Sequence, residues 1–221
     1  MQPKTWGAIY FLILLADLLI IVCDIPYARF VTKPLLMILL GCHCWWQAGG
    51  LYHPARNFIF TAIIFSWWGD VFLLFPDFFI PGLISFLLAH ILYTGFFIWV
   101  KPKPKPGFTG WIVALLVLAY AGSFLRFLYP HLGALQAPVI AYTVVITTML
   151  LSALFAFGLK KALWSKLCVA GATLFVLSDS ILATEKFYMS FPGSSLLVML
   201  TYGLAQWMIV DGSVKYLKTV K

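Results

Sequence analysis

Hydrophobic positions in this chain come in long runs, punctuated by polar residues and by Pro/Gly pairs. A helix needs about 20 mostly apolar residues to cross a hydrocarbon core. Eight runs approach that length, at residues 5–23, 34–48, 57–75, 79–100, 108–128, 134–158, 163–184 and 194–214. The second is the shortest. Thr32-Lys33-Pro34 opens it, with Pro34 at a first-turn position where a missing N–H costs nothing, and Gly49-Gly50 closes it. KPKPKPG, residues 101–107, is an extended basic linker that belongs in water. The pattern predicts an all-α integral membrane protein. Its eight or so transmembrane helices form one polytopic domain over residues 1–221, with no soluble domain.

Composition agrees with this reading. The chain is 63% hydrophobic and 10% charged, with a mean hydropathy of +0.99, far from the quarter or so of charged residues in soluble domains. The first run has full span length and leads into CDIPYARF rather than a small-residue cleavage site, so it reads as a retained helix. Cys23, Cys42, Cys44 and Cys168 lie in apolar runs without CxxC spacing, which describes packing residues rather than a disulfide framework or a zinc site. The net charge of +8 implies no nucleic-acid partner, because Lys and Arg in a membrane protein set topology. With eight spans the termini share a side. Eleven of the 15 Lys and Arg residues fall there, against Arg29, Lys33, Arg126 and Lys186 on the other side. Both termini are therefore expected in the cytoplasm, with the chain in a bacterial inner membrane.

Acidic residues change the picture most. Asp70 stands in SWWGDVFLL and Asp179 in LSDSILA, both within apolar runs, where a charge costs roughly 2.5–3.5 kcal/mol even on lenient scales. The surrounding segments form a weak parallel repeat between spans 3–4 and spans 7–8. Each copy has a small residue before Asp, Leu three residues after it, an aromatic exit and a Pro-Gly. Copies four spans apart run in the same direction, so the two Asp residues are expected at equal depth. Ser66 shares a helical face with Asp70, and Ser178 and Ser180 flank Asp179. Further polar positions lie inside spans: His90 with Tyr93, Tyr142 one turn beyond Pro138, and Tyr202 with Gln206. Several polar faces on separate spans predict one central cavity. Lys33, on the same side as the two Asp residues, is a phosphate candidate or a snorkelling lysine. Arg56 is a weaker phosphate candidate, at the opposite end of its helix. For Asp17 the cavity wall and a pairing with a neighbouring helix both stay open. Asp24, Asp77, Glu185 and Asp211 lie at span ends, Asp211 one turn from Lys215, and His43 reads as packing. The four histidines form no H-x-x-x-H or H-E-x-x-H pair, and neither a P-loop nor a G-x-S-x-G elbow is present. No metal and no cofactor is expected.

The ordered set TKPLLM (32–37), SWWGDVFLL (66–74), AHILY (89–93), PVIAY (138–142), LSDSILA (177–183) and YGLAQ (202–206) resembles the YhhN-like lysoplasmalogenases, integral membrane proteins of bacteria and animals. The resemblance covers nearly the whole chain, apart from KPKPKPG, which matches no family signal. It implies an eight-span helical enzyme that hydrolyses the vinyl ether bond of lysoplasmalogens, membrane lysophospholipids. The products are a fatty aldehyde and glycerophosphoethanolamine or glycerophosphocholine. The family's two acidic motifs map onto Asp70 and Asp179.

That chemistry suits two carboxyl groups. Protonation of the vinyl ether β-carbon leaves an oxocarbenium ion, and added water gives a hemiacetal that collapses to aldehyde and alcohol. One carboxyl must still carry its proton, and one carboxylate must steady the cation and activate water, the division of labour of glycosidase carboxylates. Asp70 and Asp179 are the expected catalytic pair, and which of them donates stays open. The expected substrate contacts are Lys33, Ser66, His90, Tyr93, Tyr142, Ser178, Tyr202 and Gln206. Paired intramembrane acids in parallel repeats also suit a proton-coupled transporter, and a membrane scaffold would use the same acids only as interhelical ties.

Overall fold

The computed structural model describes residues 3–48, 50, 54–100, 107–158 and 162–220. Among them the chain forms eight long helices and no strand: α1 (Pro3–Val22), α2 (Arg29–Ala48), α3 (Ala55–Phe72), α4 (Phe79–Trp99), α5 (Phe108–Leu128), α6 (Gln136–Phe157), α7 (Leu163–Phe187) and α8 (Ser194–Thr219). Each corresponds to one of the apolar runs. Residues 101–106 of the basic linker, Lys160 and Lys161 lie outside the described residues. Six helices, α1 and α4 through α8, are long and apolar enough to cross a membrane. Together they make a multi-pass membrane protein.

Helix ends follow local chemistry. After α1 the chain turns at Asp24, whose φ of 52° is left-handed, a conformation that a short polar side chain tolerates better than most. Gly158, with φ 62°, ends α6. The start of α2 differs from the expected one. The helix begins at Arg29, preceded by a 3-10 turn over Pro26–Ala28, and Pro34 lies inside it. A proline there deprives the Phe30 carbonyl of its helical donor. Tertiary pairing offsets that loss, because the first turn carries Arg29, Thr32 and Lys33 to acids on other helices. At its other end α8 runs past residue 214 to Thr219, stitched by the Lys215 Nζ to Asp211 Oδ2 pair at 2.6 Å.

α8 is the central helix. It lies along α7 and also meets α1, α2 and α3. The α7–α8 approach is close because a Cβ on Gly171 would stand 2.9 Å from the Ala205 carbonyl oxygen, the small-residue contact that lets membrane helices touch backbone to backbone. Hydroxyls within the bundle satisfy themselves on the preceding turn: Thr94 Oγ1 donates to the His90 carbonyl at 2.8 Å and Thr143 Oγ1 to that of Val139 at 2.8 Å. α5 packs on α6 and touches only the edge of α7. It leaves Phe108, Trp111, Leu115 and Leu116 outward, as a lipid-facing helix does.

Candidate active site

Two acids reach one cavity from separate helices. A Cβ on Gly69 would meet the Phe86 ring at 2.6 Å, so glycine at that position lets α4 lie against α3 beside Asp70. Asp70 is fully buried. It lies near the C-terminal end of α3, and Asp179 lies in the C-terminal half of α7. Both line a cavity of about 420 Å3 together with Arg29, Lys33, Tyr202 and Glu185. A second cavity of about 80 Å3, between α4, α5, α6 and α7, is walled mainly by apolar side chains, with Tyr120, Tyr142, Thr143, Thr147, Ser180 and Asp179 alongside them. Asp179 lines both, and the two also share Leu73, Phe79, Phe86 and Leu182. One carboxyl therefore stands where a polar chamber meets an apolar one.

The acids have different company. Asp70 has a cation: Lys33 Nζ is 3.6 Å from its Oδ1. The Tyr202 hydroxyl donates to its Oδ2 at 2.7 Å. Behind Tyr202 the polar chain continues, with Gln206 Nε2 donating to Ser66 Oγ at 2.8 Å and the Tyr93 hydroxyl donating to Gln206 Oε1 at 2.7 Å. Asp179 has no cationic Lys or Arg within ion-pair distance among the described residues. The Tyr142 hydroxyl donates to its Oδ2 at 2.5 Å, and His90 Nε2 lies 4.0 Å from the same oxygen. His90 is fully buried, its ring edge-on to Phe175 and Tyr142. Neither of its nitrogens has a hydrogen-bond partner among the described residues.

Of the catalytic and substrate-contact residues expected from sequence, Asp70, Asp179, Lys33, Ser178 and Tyr202 line the larger cavity and Tyr142 the smaller, whereas Ser66, His90, Tyr93 and Gln206 line neither. Ser66 does not bond Asp70. It accepts from Gln206, because α8 brings an amide alongside that face of α3. Ser178 lines the larger cavity while its hydroxyl donates to the Val198 carbonyl of α8 at 3.1 Å, and Ser180 Oγ accepts from the Tyr120 hydroxyl at 2.9 Å. Lys33 lines the cavity but is engaged by Asp70 rather than standing free. Asp17 pairs with α2: Thr32 Oγ1 donates to Oδ1, and Arg29 Nε is 3.7 Å from Oδ2. Arg56 donates to the Ala48 carbonyl at 3.3 Å and does not line either cavity. His43 is more than packing. Its Nε2 lies 3.3 Å from Asp211 Oδ1 in a polar cluster remote from Asp70.

Arg29 and Glu185 escaped the sequence reading. The signal was present in helical spacing: Arg29 and Lys33 are one turn apart, and Ser178, Leu182 and Glu185 share one face of α7. Among the described residues no group of three or more His, Cys, Asp or Glu side chains is arranged to hold a metal ion.

Comparison with known proteins identifies the family. The family model described as "YhhN family" matches residues 28–213. The chain is 34% identical over 171 residues to lysoplasmalogenase TMEM86A of Bos taurus, which covers 75% of this chain and 68% of that protein. It is 33% identical over 171 residues to lysoplasmalogenase TMEM86A of Homo sapiens, with the same coverage. It is 28% identical over 174 residues to a lysoplasmalogenase of Mycobacterium bovis, covering 75% of this chain and 64% of that one. No solved structure matches.

Proposed function

The chain belongs to the YhhN family, and from that membership we propose that it is a lysoplasmalogenase in which Asp179 is the general acid and Asp70 the carboxylate that steadies the cation and activates water. The observation that carries the assignment is the position of Asp179 in the walls of both cavities. In a lysoplasmalogen the vinyl ether joins the polar glycerophospho head to the hydrocarbon chain. A lipid placed with its head in the larger chamber and the start of its chain in the apolar one brings that bond to Asp179. Lys33 Nζ, 3.6 Å from Asp70 Oδ1, is the cation placed to favour the charged form of the second carboxyl.

The steps balance. Asp179 gives its proton to the β-carbon, the π pair forms the new C–H bond, and the α-carbon becomes an oxocarbenium carbon facing the Asp70 carboxylate. Water adds to that carbon and its released proton passes to Asp70, giving a hemiacetal. Asp70 then protonates the departing glycerol oxygen as the C–O bond breaks, and the hemiacetal hydroxyl proton returns to Asp179. Aldehyde and glycerophospho alcohol are released, and both acids are back in their starting states.

The same reading includes α2 and α3 as membrane-crossing helices whose polar residues are paired inside the bundle, which makes eight spans. It also treats the two Asp-bearing hairpins, α3–α4 and α7–α8, as copies of one unit. The Lys/Arg distribution supports cytoplasmic termini, and the same reading puts the chain in a bacterial inner membrane.

The test is aldehyde release, measured by mass spectrometry, from purified protein in detergent supplied with a lysoplasmalogen. Wild type is expected to turn over without any gradient, and folded Asp70→Asn and Asp179→Asn not to. Release by wild type that survives in both variants would overturn the assignment. No release from monodisperse wild type would overturn the hydrolase itself, leaving transport in sealed vesicles as the next measurement.

A further inference from the structure

At the mouth of the larger cavity three charged side chains have no part in the proposed chemistry: Lys186, which lies over the Phe79 ring, and Arg29 and Glu185. Arg29 is held by one edge only: Asp17, fully buried, lies 3.7 Å from its Nε and is itself fixed by the Thr32 hydroxyl. Neither Nη group has a partner among the described residues, and Arg29 lines the cavity. The open fork of a guanidinium held this way matches two oxygens of a phosphate. Glu185 lines the same cavity. Ser195 Oγ lies 3.5 Å from its Oε1, and no cation pairs with it among the described residues. Deeper in, Lys33 is engaged by Asp70.

Resting on the vinyl ether hydrolase reading, we infer that this mouth recognises both ends of a phosphoethanolamine head: Arg29 takes the phosphate, Glu185 takes the ammonium, and Asp17 is the positioning residue for Arg29. A carboxylate accepts hydrogen bonds from a primary ammonium. A quaternary ammonium has none to give and is held instead by aromatic faces. Of the rings lining this cavity, Phe79 is covered by Lys186, whose Nζ lies 4.8 Å from its centroid, Phe75 packs against Phe30 and Phe78, and Phe86 and Tyr202 pack against each other. The site therefore favours ethanolamine over choline.

Four substrates sharing one alkenyl chain test this: the ethanolamine and choline lysoplasmalogens, the amine-free alkenyl glycerophosphate, and the phosphate-free alkenylglycerol. In wild type kcat/KM is expected to be higher for ethanolamine than for choline. In Glu185→Gln the ratio of kcat/KM for the ethanolamine substrate over the amine-free phosphate drops about tenfold, through KM, as one charge-assisted hydrogen bond is lost. In Arg29→Met and Asp17→Asn the ratio of every phosphate-bearing substrate over alkenylglycerol falls, and alkenylglycerol turnover reports that each variant is folded. Unchanged ratios in Glu185→Gln, or an equal loss on all four substrates, would overturn the headgroup site while leaving the hydrolase standing. Absence of aldehyde from all four with wild type would instead overturn the hydrolase reading.

Discussion

Replacing Tyr142 with Phe removes one hydroxyl from the Asp179 side of the cavity and leaves the ring against His90. That hydroxyl donates to Asp179 Oδ2 over 2.5 Å. In the proposed first step Asp179 loses its proton, so the bond changes from neutral to charge-assisted as the barrier is climbed. A neutral hydrogen bond contributes about 1 kcal/mol and one to a charged group about 1.5–3. The difference, roughly 0.5–2 kcal/mol, is stabilisation that the transition state gains over the bound ground state. Tyr142→Phe is therefore expected to lower kcat by about 2- to 30-fold with KM unchanged, whereas Asp179→Asn removes the proton itself. Steady-state aldehyde release in detergent on the ethanolamine substrate separates the two parameters. An unchanged kcat, or a loss carried wholly by KM, would refute the assignment of Asp179 as the proton donor.

Two further predictions concern the partners of the acids. Lys33→Met leaves Asp70 buried without its cation, a defect of about 3–5 kcal/mol when one member of a buried pair is removed. It should lower the thermal midpoint in detergent, and Lys33→Met/Asp70→Asn should recover most of it without recovering turnover; equal midpoints in the single and double variants would show that the pair is not coupled. His90→Leu removes an imidazole whose nitrogens have no partner among the described residues, and replacing such a group by an apolar one of similar size is nearly neutral. Its midpoint is expected to hold or rise, and a clear drop would mean that the ring is held by a bond.

Helix number and the placement of the two acids were legible in the sequence because both depend on local cost. A run of 20 apolar residues can satisfy its backbone in lipid only as a helix, and an Asp inside such a run needs a polar interior whatever its partner. Partners were not legible, since they are set by how helices lie side by side. Ser66 has the right spacing for Asp70, yet the amide of Gln206 reaches it from α8. Pro34 looked like a helix start because the preceding residues are polar. Those residues are helical because Asp17 and Asp70 wait across the interface. His43 looked like packing until α8 brought Asp211 to 3.3 Å. Glu185 sat at a span end, where water is an adequate explanation, and only the cavity wall distinguishes it.

On the proposed assignment, the wall that Asp179 shares between a polar and an apolar chamber would also sort what the reaction makes. The smaller chamber is too tight to enclose a long hydrocarbon, and beside it α5 turns its apolar face outward. The chain of the substrate thus stays largely among its lipid neighbours while only its first carbons are drawn in. Once the bond breaks, the two halves have no common path. On that assignment the glycerophospho alcohol is expected to leave through the charged mouth into water and the aldehyde to return to the bilayer without crossing an aqueous phase. A cut made on that boundary draws the products apart, and recombination would require both to return to the same wall at once.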